Sequence, residues 1–368
     1  MKTSVNVGVI GCGNISDAYL KAAPQFEAMQ IIACADINPD AAIAKAETYG
    51  IQALSVEDLL ADDRIELVLN LTTPQHHVPV GLQILNAGKH SYSEKPLAID
   101  LSEALKLVEL AAQKGLRVGC APDTFFGGSH QTARKAVDEG IIGAALAGSA
   151  YMMCPGHEAW HPNPDFYYQQ GGGPLMDMGP YYITALINMI GSIESVTGVA
   201  KAAYAKREIT SGPRKGEKFN VDVQTHISAV LSFTCGAQVN LTTSFDVHKH
   251  THNHIELYGS KGSMIVPDPN RFDGDVEVSK ASGDWENVPQ THLYGDDNYR
   301  GIGLADMAQA ILDDRPQRAS LELSLHVLEA MEAILTSAET GRRVTLKHQC
   351  DRPAALPDTL PFGKLKEE

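Results

Sequence analysis

The chain has no Cys-x-x-Cys pair. Its six cysteines (Cys12, Cys34, Cys120, Cys154, Cys235, Cys350) stand far apart, so neither a zinc site nor a disulfide framework is indicated and no metal is expected. Free thiols fit a reducing, cytoplasmic setting. No apolar run approaches the roughly 20 residues of a membrane span, and the first four residues leave no room for a signal peptide before the first strand. Basic charge is scarce: 30 Lys and Arg against 45 Asp and Glu give a net charge of −15. That argues against nucleic acid as a partner, which would need a basic stripe able to displace counterions. There is no internal repeat and no low-complexity segment. What is left, in 368 residues of which 43% are hydrophobic, is the composition of a soluble globular protein of two domains.

The most informative stretch is the first. Val5–Ile10 is a short apolar run rich in β-branched residues, and it feeds into Gly11-Cys12-Gly13-Asn14-Ile15-Ser16. Helical spacing of Ile15, Ala18, Tyr19, Ala22 and Ala23 follows. Strand, tight turn and helix make the opening of a dinucleotide-binding unit. Gly11 permits the turn, Gly13 admits a pyrophosphate, and the backbone at Asn14 and Ile15 faces that anion from the helix start. Ser16 stands where a third glycine or alanine belongs. A second apolar run, 30–35, ends in Asp36, twenty residues past Ser16. A carboxylate there accepts an adenosine ribose 2′-hydroxyl and repels a 2′-phosphate, which favours NAD over NADP.

Further along, 65–71 is near-continuously apolar, as a buried parallel strand should be. It ends in Thr72-Thr73-Pro74-Gln75-His76-His77, where cofactor contacts belong. Strand 89–93 ends in Glu94-Lys95-Pro96, helix 101–114 follows, and 116–120 closes the alternation. The pattern predicts a doubly wound α/β domain over 1–122. From Asp123 the rhythm changes. Pro, aromatic and His residues crowd 154–168, Gly171-Gly172-Gly173-Pro174 opens a helix over 175–190, and β patterns dominate from 193. An α+β domain with a large, mostly antiparallel sheet is expected over 123–345, and an extended tail over 346–368.

These motifs resemble the glucose–fructose oxidoreductase / inositol dehydrogenase / MocA (Gfo/Idh/MocA) family. The signs are the 11–16 turn, the Thr72–His77 loop, Gly88-Lys89-His90 followed by Glu94-Lys95-Pro96, and Gly171–Gly179. The resemblance spans roughly 5–345 and implies a Rossmann domain plus an open-sheet domain. It implies NAD(P)-dependent redox chemistry on sugars, inositols or polyols, and homodimers or homotetramers built through the sheet. Lys95 is then the residue that binds the reacting hydroxyl and handles its proton, with Glu94 and Pro96 lining the nicotinamide site. Thr72, Thr73, Pro74 and His77 are carried over as cofactor contacts. An alcohol gives up hydride readily only as its proton leaves, so a base and a cation belong at that oxygen.

Two places depart from the family pattern. Asp177-Met178-Gly179-Pro180-Tyr181 has tyrosine where the family has histidine. Asp177 and Tyr181 share a helix face if 175–190 is helical, and Pro180 must sit in the first turn or kink it. Tyr181 is expected to pair with Lys95 as acid and base, its high ordinary pKa lowered by a nearby ammonium, with Asp177 binding a substrate hydroxyl or orienting Lys95. Alternatively Tyr181 only packs and Lys95 acts alone. After strand 116–120 comes Asp123 instead of an arginine-containing segment. It either contacts substrate or cofactor, or caps a helix. Trp160 and His161 are candidate sugar contacts or structural residues. His248, His250, His252 and His254 alternate, which on a strand puts four rings on one face; a sheet-edge or loop cluster is the other reading. The expected activity is oxidation of a carbohydrate or polyol hydroxyl by hydride transfer to NAD. A redox-neutral NAD-dependent glycosidase and a non-catalytic NAD-binding regulator are the rivals.

Overall fold

The computed structural model describes residues 2–280 and 283–366. In chain order the first segment runs β1 (Val5–Ile10), α1 (Ser16–Ala22), β2 (Met29–Ala35), α2 (Pro39–Tyr49), β3 (Gln52–Leu54), α3 (Val56–Ala61), β4 (Leu67–Asn70), α4 (His77–Asn86), β5 (His90–Ser93), α5 (Leu101–Lys114) and β6 (Val118–Cys120). Next come α6 (Gly128–Asp138), β7 (Ala145–Met153), α7 (Gly173–Ile190), β8 (Ile193–Lys201), a hairpin of β9 (Lys206–Glu208) and β10 (Lys218–Asn220), β11 (His226–Phe233) and β12 (Gln238–Ser244). The chain ends with β13 (Ile255–Gly259), β14 (Gly262–Val266), β15 (Val276–Lys280), β16 (Glu286–Val288), α8 (Ile302–Asp313), α9 (Leu321–Thr340) and β17 (Val344–Thr345).

Two compact units emerge. The first is Met1–Gly128 with Thr291–Leu325 and Pro353–Glu368; the second is Ser129–Gln290 with His326–Arg352. The stretch expected as one domain over 123–345 is therefore divided, and 291–325 packs with the nucleotide-type sheet. Hydrogen bonding explains why. Gln317 donates to the Val118 carbonyl at 3.0 Å, and Ser320 bridges Gly119. Asp306, fully buried, holds Arg315 and Arg318 at 2.8 and 2.6 Å. Buried charges persist only when paired in this way. The tail belongs here too. It follows no helix or strand beyond 345 among the described residues, but Arg318 donates to Ala354 and Ala355 carbonyls, and Leu356 and Leu365 are buried.

In the first unit the described strands form a parallel sheet in the order β3-β2-β1-β4-β5-β6. That is the doubly wound order, whose ligand crevice lies at the carboxyl ends where strand order reverses, between β1 and β4. Ile10, Ala33, Ala35, Leu59, Ile65, Val68 and Ile84 form a core cluster between sheet and helices.

In the second unit, apart from the separate β9–β10 pair, the described strands follow the order β16-β15-β14-β13-β7-β12-β11-β8-β17. All pairs are antiparallel except β7 with β12. Alternation sets its faces: Ile227, Ala229, Leu231 and Phe233 on β11 point to one side and are buried. The almost wholly buried α7 packs against β7, β11 and β12. On the other side Val199 is 68% exposed. Pro180 lies in the second turn of α7, inside a continuous helix, so the Met176 carbonyl receives no helical bond from position 180. The four-histidine run is not on a strand, because β12 stops at Ser244 and β13 starts at Ile255. Contacts with distant parts of the chain hold it as a loop. His254 meets the Tyr182 hydroxyl at 2.8 Å, and His252 stacks on Tyr151. Among the described residues no group of His, Cys, Asp and Glu is placed to hold a metal ion.

Candidate active site

The first unit gathers the predicted cofactor residues at the carboxyl ends of β1, β2, β4 and β5. Gly11 has φ +106°, and a Cβ there would stand 2.7 Å from the Leu71 backbone, so only glycine lets the turn pass this close to the end of β4. Gly13, Asn14 and Ile15 are exposed, and a Cβ on Gly13 would meet nothing within 4 Å. Ser16 is buried and its hydroxyl donates to the Gly13 carbonyl at 2.6 Å, which ties the helix start to the turn. Asp36 is fixed to the same turn. One carboxylate oxygen accepts the Cys12 N–H at 2.7 Å and the other accepts the Asn38 N–H at 2.8 Å. Each oxygen keeps a lone pair for a further donor.

Neighbouring strand ends are knitted by residues that sequence reasoning passed over. Asn70, wholly buried at the end of β4, donates to the His77 carbonyl at 3.0 Å and accepts from the Thr72 N–H and hydroxyl. A polar residue closing an otherwise apolar strand was the available signal. The Thr73 hydroxyl meets His76, and Pro74 opens a short 3-10 turn. His77, expected at the cofactor, is 1% exposed. Its Nδ1 lies 2.7 Å from the Pro96 carbonyl and its Nε2 2.9 Å from that of Thr72, so the ring joins the two loops. Two carbonyls call for two N–H donors, which favours imidazolium. Burial pushes the ring's pKa down more strongly than the two carbonyls and Glu94 push it up.

Glu94 is buried. It accepts the Tyr19 hydroxyl at 2.8 Å with one oxygen and the Lys95 N–H at 2.9 Å with the other, while its own N–H donates to Asn70. Burial first, then the Glu94 charge, keeps the Tyr19 phenol protonated and donating. Helix α1 and the strand-end loop therefore share one hydrogen bond, which nothing in the spacing of 19 and 94 announces. Lys95 is half-buried at the carboxyl end of β5.

Asp123 is 1% exposed, and its carboxylate accepts the Gly301 and Gly303 N–H groups at 2.7 and 3.1 Å. Of the two readings of this residue, the geometry is that of a cap on α8. Burial raises its pKa to about 6, against the two N–H donors that lower it.

In the second unit Asp177 and Tyr181 lie on successive turns of α7, and Tyr181 is 7% exposed. The loop after β7 brings up a residue not singled out in sequence. His157 Nε2 is 3.5 Å from Asp177 Oδ2. Its ring is walled by Tyr167, Phe245 and Trp160 at centroid distances of 4.1, 4.5 and 5.2 Å. Trp160 is 61% exposed. His161 packs among Trp160, Phe166 and Tyr167 and accepts the Asn163 N–H. Behind the loop, Arg207 pairs with both Glu158 and Asp246, and Tyr168 donates to Glu158 at 2.5 Å.

Comparison with known proteins decides what this arrangement belongs to. Residues 5–121 match the oxidoreductase family with an NAD-binding Rossmann fold, and 130–265 match the GFO/IDH/MocA C-terminal domain. The chain belongs to the Gfo/Idh/MocA family.

Among its relatives is a dTDP-3,4-didehydro-2,6-dideoxy-alpha-D-glucose 3-reductase of Streptomyces violaceoruber, 30% identical over 269 residues, 72% of each chain. The enzyme of that name from Actinomadura kijaniata is 26% identical over 344 residues, 91% of this chain and 96% of its own. A solved levoglucosan dehydrogenase in complex with NADH and L-sorbose superposes with a TM-score of 0.78 at 23% identity, over 94% of this chain and 99% of its own. As a Gfo/Idh/MocA oxidoreductase, the protein is an NAD-binding enzyme. Its glycine turn, anchored Asp36 and strand-end loops fit a dinucleotide: one close backbone approach, exposed N–H groups at a helix start, and an oriented acceptor. Among the described residues no helix is long and apolar enough to cross a membrane.

Proposed function

We propose that the protein is an NAD-preferring dehydrogenase or reductase acting on one carbinol or carbonyl carbon of a sugar or related polyol. The observation that carries this reading is the Glu94–Lys95 corner. It is braced by Asn70 and Tyr19 at the crevice end of the sheet whose first turn is tied to Asp36. When bound, the nicotinamide takes up or supplies the hydride. Lys95 holds the reacting oxygen: as the neutral amine it takes the hydroxyl proton when the alcohol is oxidised, and as the ammonium it returns that proton when the carbonyl is reduced. Gly11, Gly13, Asn14 and Ile15 hold the pyrophosphate. Thr72, Thr73 and Pro74 flank the nucleotide, and Asp36 accepts the ribose hydroxyl and disfavours a 2′-phosphate. Asp177 takes a substrate hydroxyl, Tyr181 assists the proton transfer, and Trp160, with His161 behind it, offers an aromatic face to the sugar ring. His77 supports the loops, and Asp123 serves the α8 cap. Relatives that work on keto-sugars support the substrate class. The uncovered sheet face, with Val199 and Val230 exposed, suits a second copy of the chain in a homodimer or homotetramer.

The test is a panel of levoglucosan, D-glucose, myo-inositol and sugar acids, each with NAD and with NADP, followed by absorbance of the reduced nucleotide. Stoichiometric NADH with at least one probe is expected, together with weaker use of NADP. Glycoside cleavage without net NADH points to the redox-neutral alternative and ends the dehydrogenase reading.

A further inference from the structure

His157 is 8% exposed, and neither ring nitrogen has a hydrogen-bond partner. An unpaired buried polar atom costs about 1–3 kcal/mol, so a folded protein keeps one only for a reason. The loop around it is anything but loose. The His157 N–H donates to the Tyr168 hydroxyl, and its carbonyl accepts the Trp160 and His161 N–H groups. Glu158, next in the chain, is clamped by Arg207 and Tyr168. Arg207 is clamped in turn by Asp246, which Thr225 holds at 2.7 Å. Three aromatic rings close the walls. The polar group the ring does face is the Asp177 carboxylate, with Nε2 and Oδ2 3.5 Å apart. That gap exceeds an ordinary N–H···O bond by only about half an ångström.

We propose that His157 is a positioning residue for Asp177, completing a carboxylate–imidazole pair in which Nε2–H donates to Oδ2 and fixes the carboxylate that takes a hydroxyl of the polyol substrate. A carboxylate beside one ring nitrogen selects the tautomer protonated there. A carboxylate fixed by a nearby donor is oriented before substrate arrives, so less freedom is lost on binding. The aromatic walls shield the His157 side of the pair from water, which strengthens it. The frame of Arg207, Glu158 and Asp246 explains how a histidine twenty residues before Asp177 reaches it, across the 3-10 turn of 164–168 and the glycines that open α7. This inference rests on the substrate reading given above, and it assigns His157 no contact with the reacting carbon.

Two variants test it in the intact enzyme. His157→Gln keeps an amide N–H near the place of Nε2; His157→Phe fills the volume with no donor. With whichever of levoglucosan, D-glucose and myo-inositol the wild type turns over, H157F is expected to raise KM about tenfold, the worth of one hydrogen bond to a charged group. The value of kcat should stay within about twofold and NADH affinity should be unchanged, and H157Q should recover most of the KM. The loss in H157F should largely vanish in a D177N background, because both act through one carboxylate. An H157F enzyme with wild-type KM, or penalties that simply add in the double variant, overturns the pair. A ligand-free readout separates this failure from failure of the substrate reading. Imidazole ¹⁵N spectra should show an exchange-protected N–H that is lost in H157Q and shifted in D177N, and its absence overturns the proposal even where no probe sugar reacts.

Discussion

Two buried histidines divide the molecule's two units by how their polar atoms are used. His77 has both ring nitrogens on backbone carbonyls, 2.7 and 2.9 Å away. His157 has both nitrogens unpartnered and a carboxylate at 3.5 Å. The same side chain is a cross-brace in the first unit and an unfinished contact in the second. What separates them is the surroundings. Strand ends in a parallel sheet present many carbonyls that seek donors, and the loop around His77 supplies two. The pocket around His157 is aromatic, so its ring has one polar neighbour to complete. A ring set between two loops holds their shape; a ring beside a carboxylate is placed to fix that carboxylate.

The largest effect should come from the corner that the His77 brace supports. Replacing Lys95 by methionine removes the cation proposed to act at the reacting oxygen, and turnover should fall about 10²- to 10⁴-fold while NADH binding, followed by fluorescence transfer, changes little. Equal loss of both would place Lys95 among the supports instead. Next, His77→Leu strips two buried carbonyls of their partner, and unfolding in urea should show a loss of about 2–4 kcal/mol. A near-neutral result would mean the brace holds nothing, and the contrast with His157 would dissolve. Asp123 sharpens the comparison from a third direction, as a buried acid whose pKa stands at about 6. An acid raised by folding stabilises the protein below its unfolded pKa, and that contribution is lost as pH rises through the folded value. Relative to Asp123→Asn, the wild type should therefore lose about 2–3 kcal/mol between pH 4 and pH 7. Parallel stability curves for the two proteins would rule this out. The smallest expected change is Tyr19→Phe, which deletes one hydrogen bond to Glu94. It should cost about 1 kcal/mol of stability and leave kcat within a few-fold, as measured by thermal unfolding beside steady-state rates.

Much of the first unit could be read in advance because its signals are local. Gly11 and Gly13 follow a β-branched run, Asp36 closes the next one, and Glu94-Lys95-Pro96 closes another; each is a feature of a few adjacent residues. The limits of the second unit were harder to see. The alternation of His248 to His254 imitates a strand, yet Ser244 ends β12 and the rings find partners such as Tyr182 and Tyr151 from elsewhere. His157 looked like one of several residues in a Pro- and aromatic-rich loop, because its relation to Asp177 depends on an ion-paired frame whose members lie as far off as Asp246. The division of 291–325 from its sequence neighbours was hidden for the same reason. Asp306 and its two arginines are ordinary charges until they are buried together.

By itself the sequence determined the parallel α/β unit, the family and the dinucleotide chemistry, because period, turn glycines and strand-end acids act over a few residues and survive any tertiary arrangement. Tertiary structure alone decided which polar groups meet: His77 between two loops, Asp123 under α8, and His157 one step short of a bond to Asp177. Hydrogen-bond partners are set by where distant backbone and side chains meet, and no spacing along a chain encodes that.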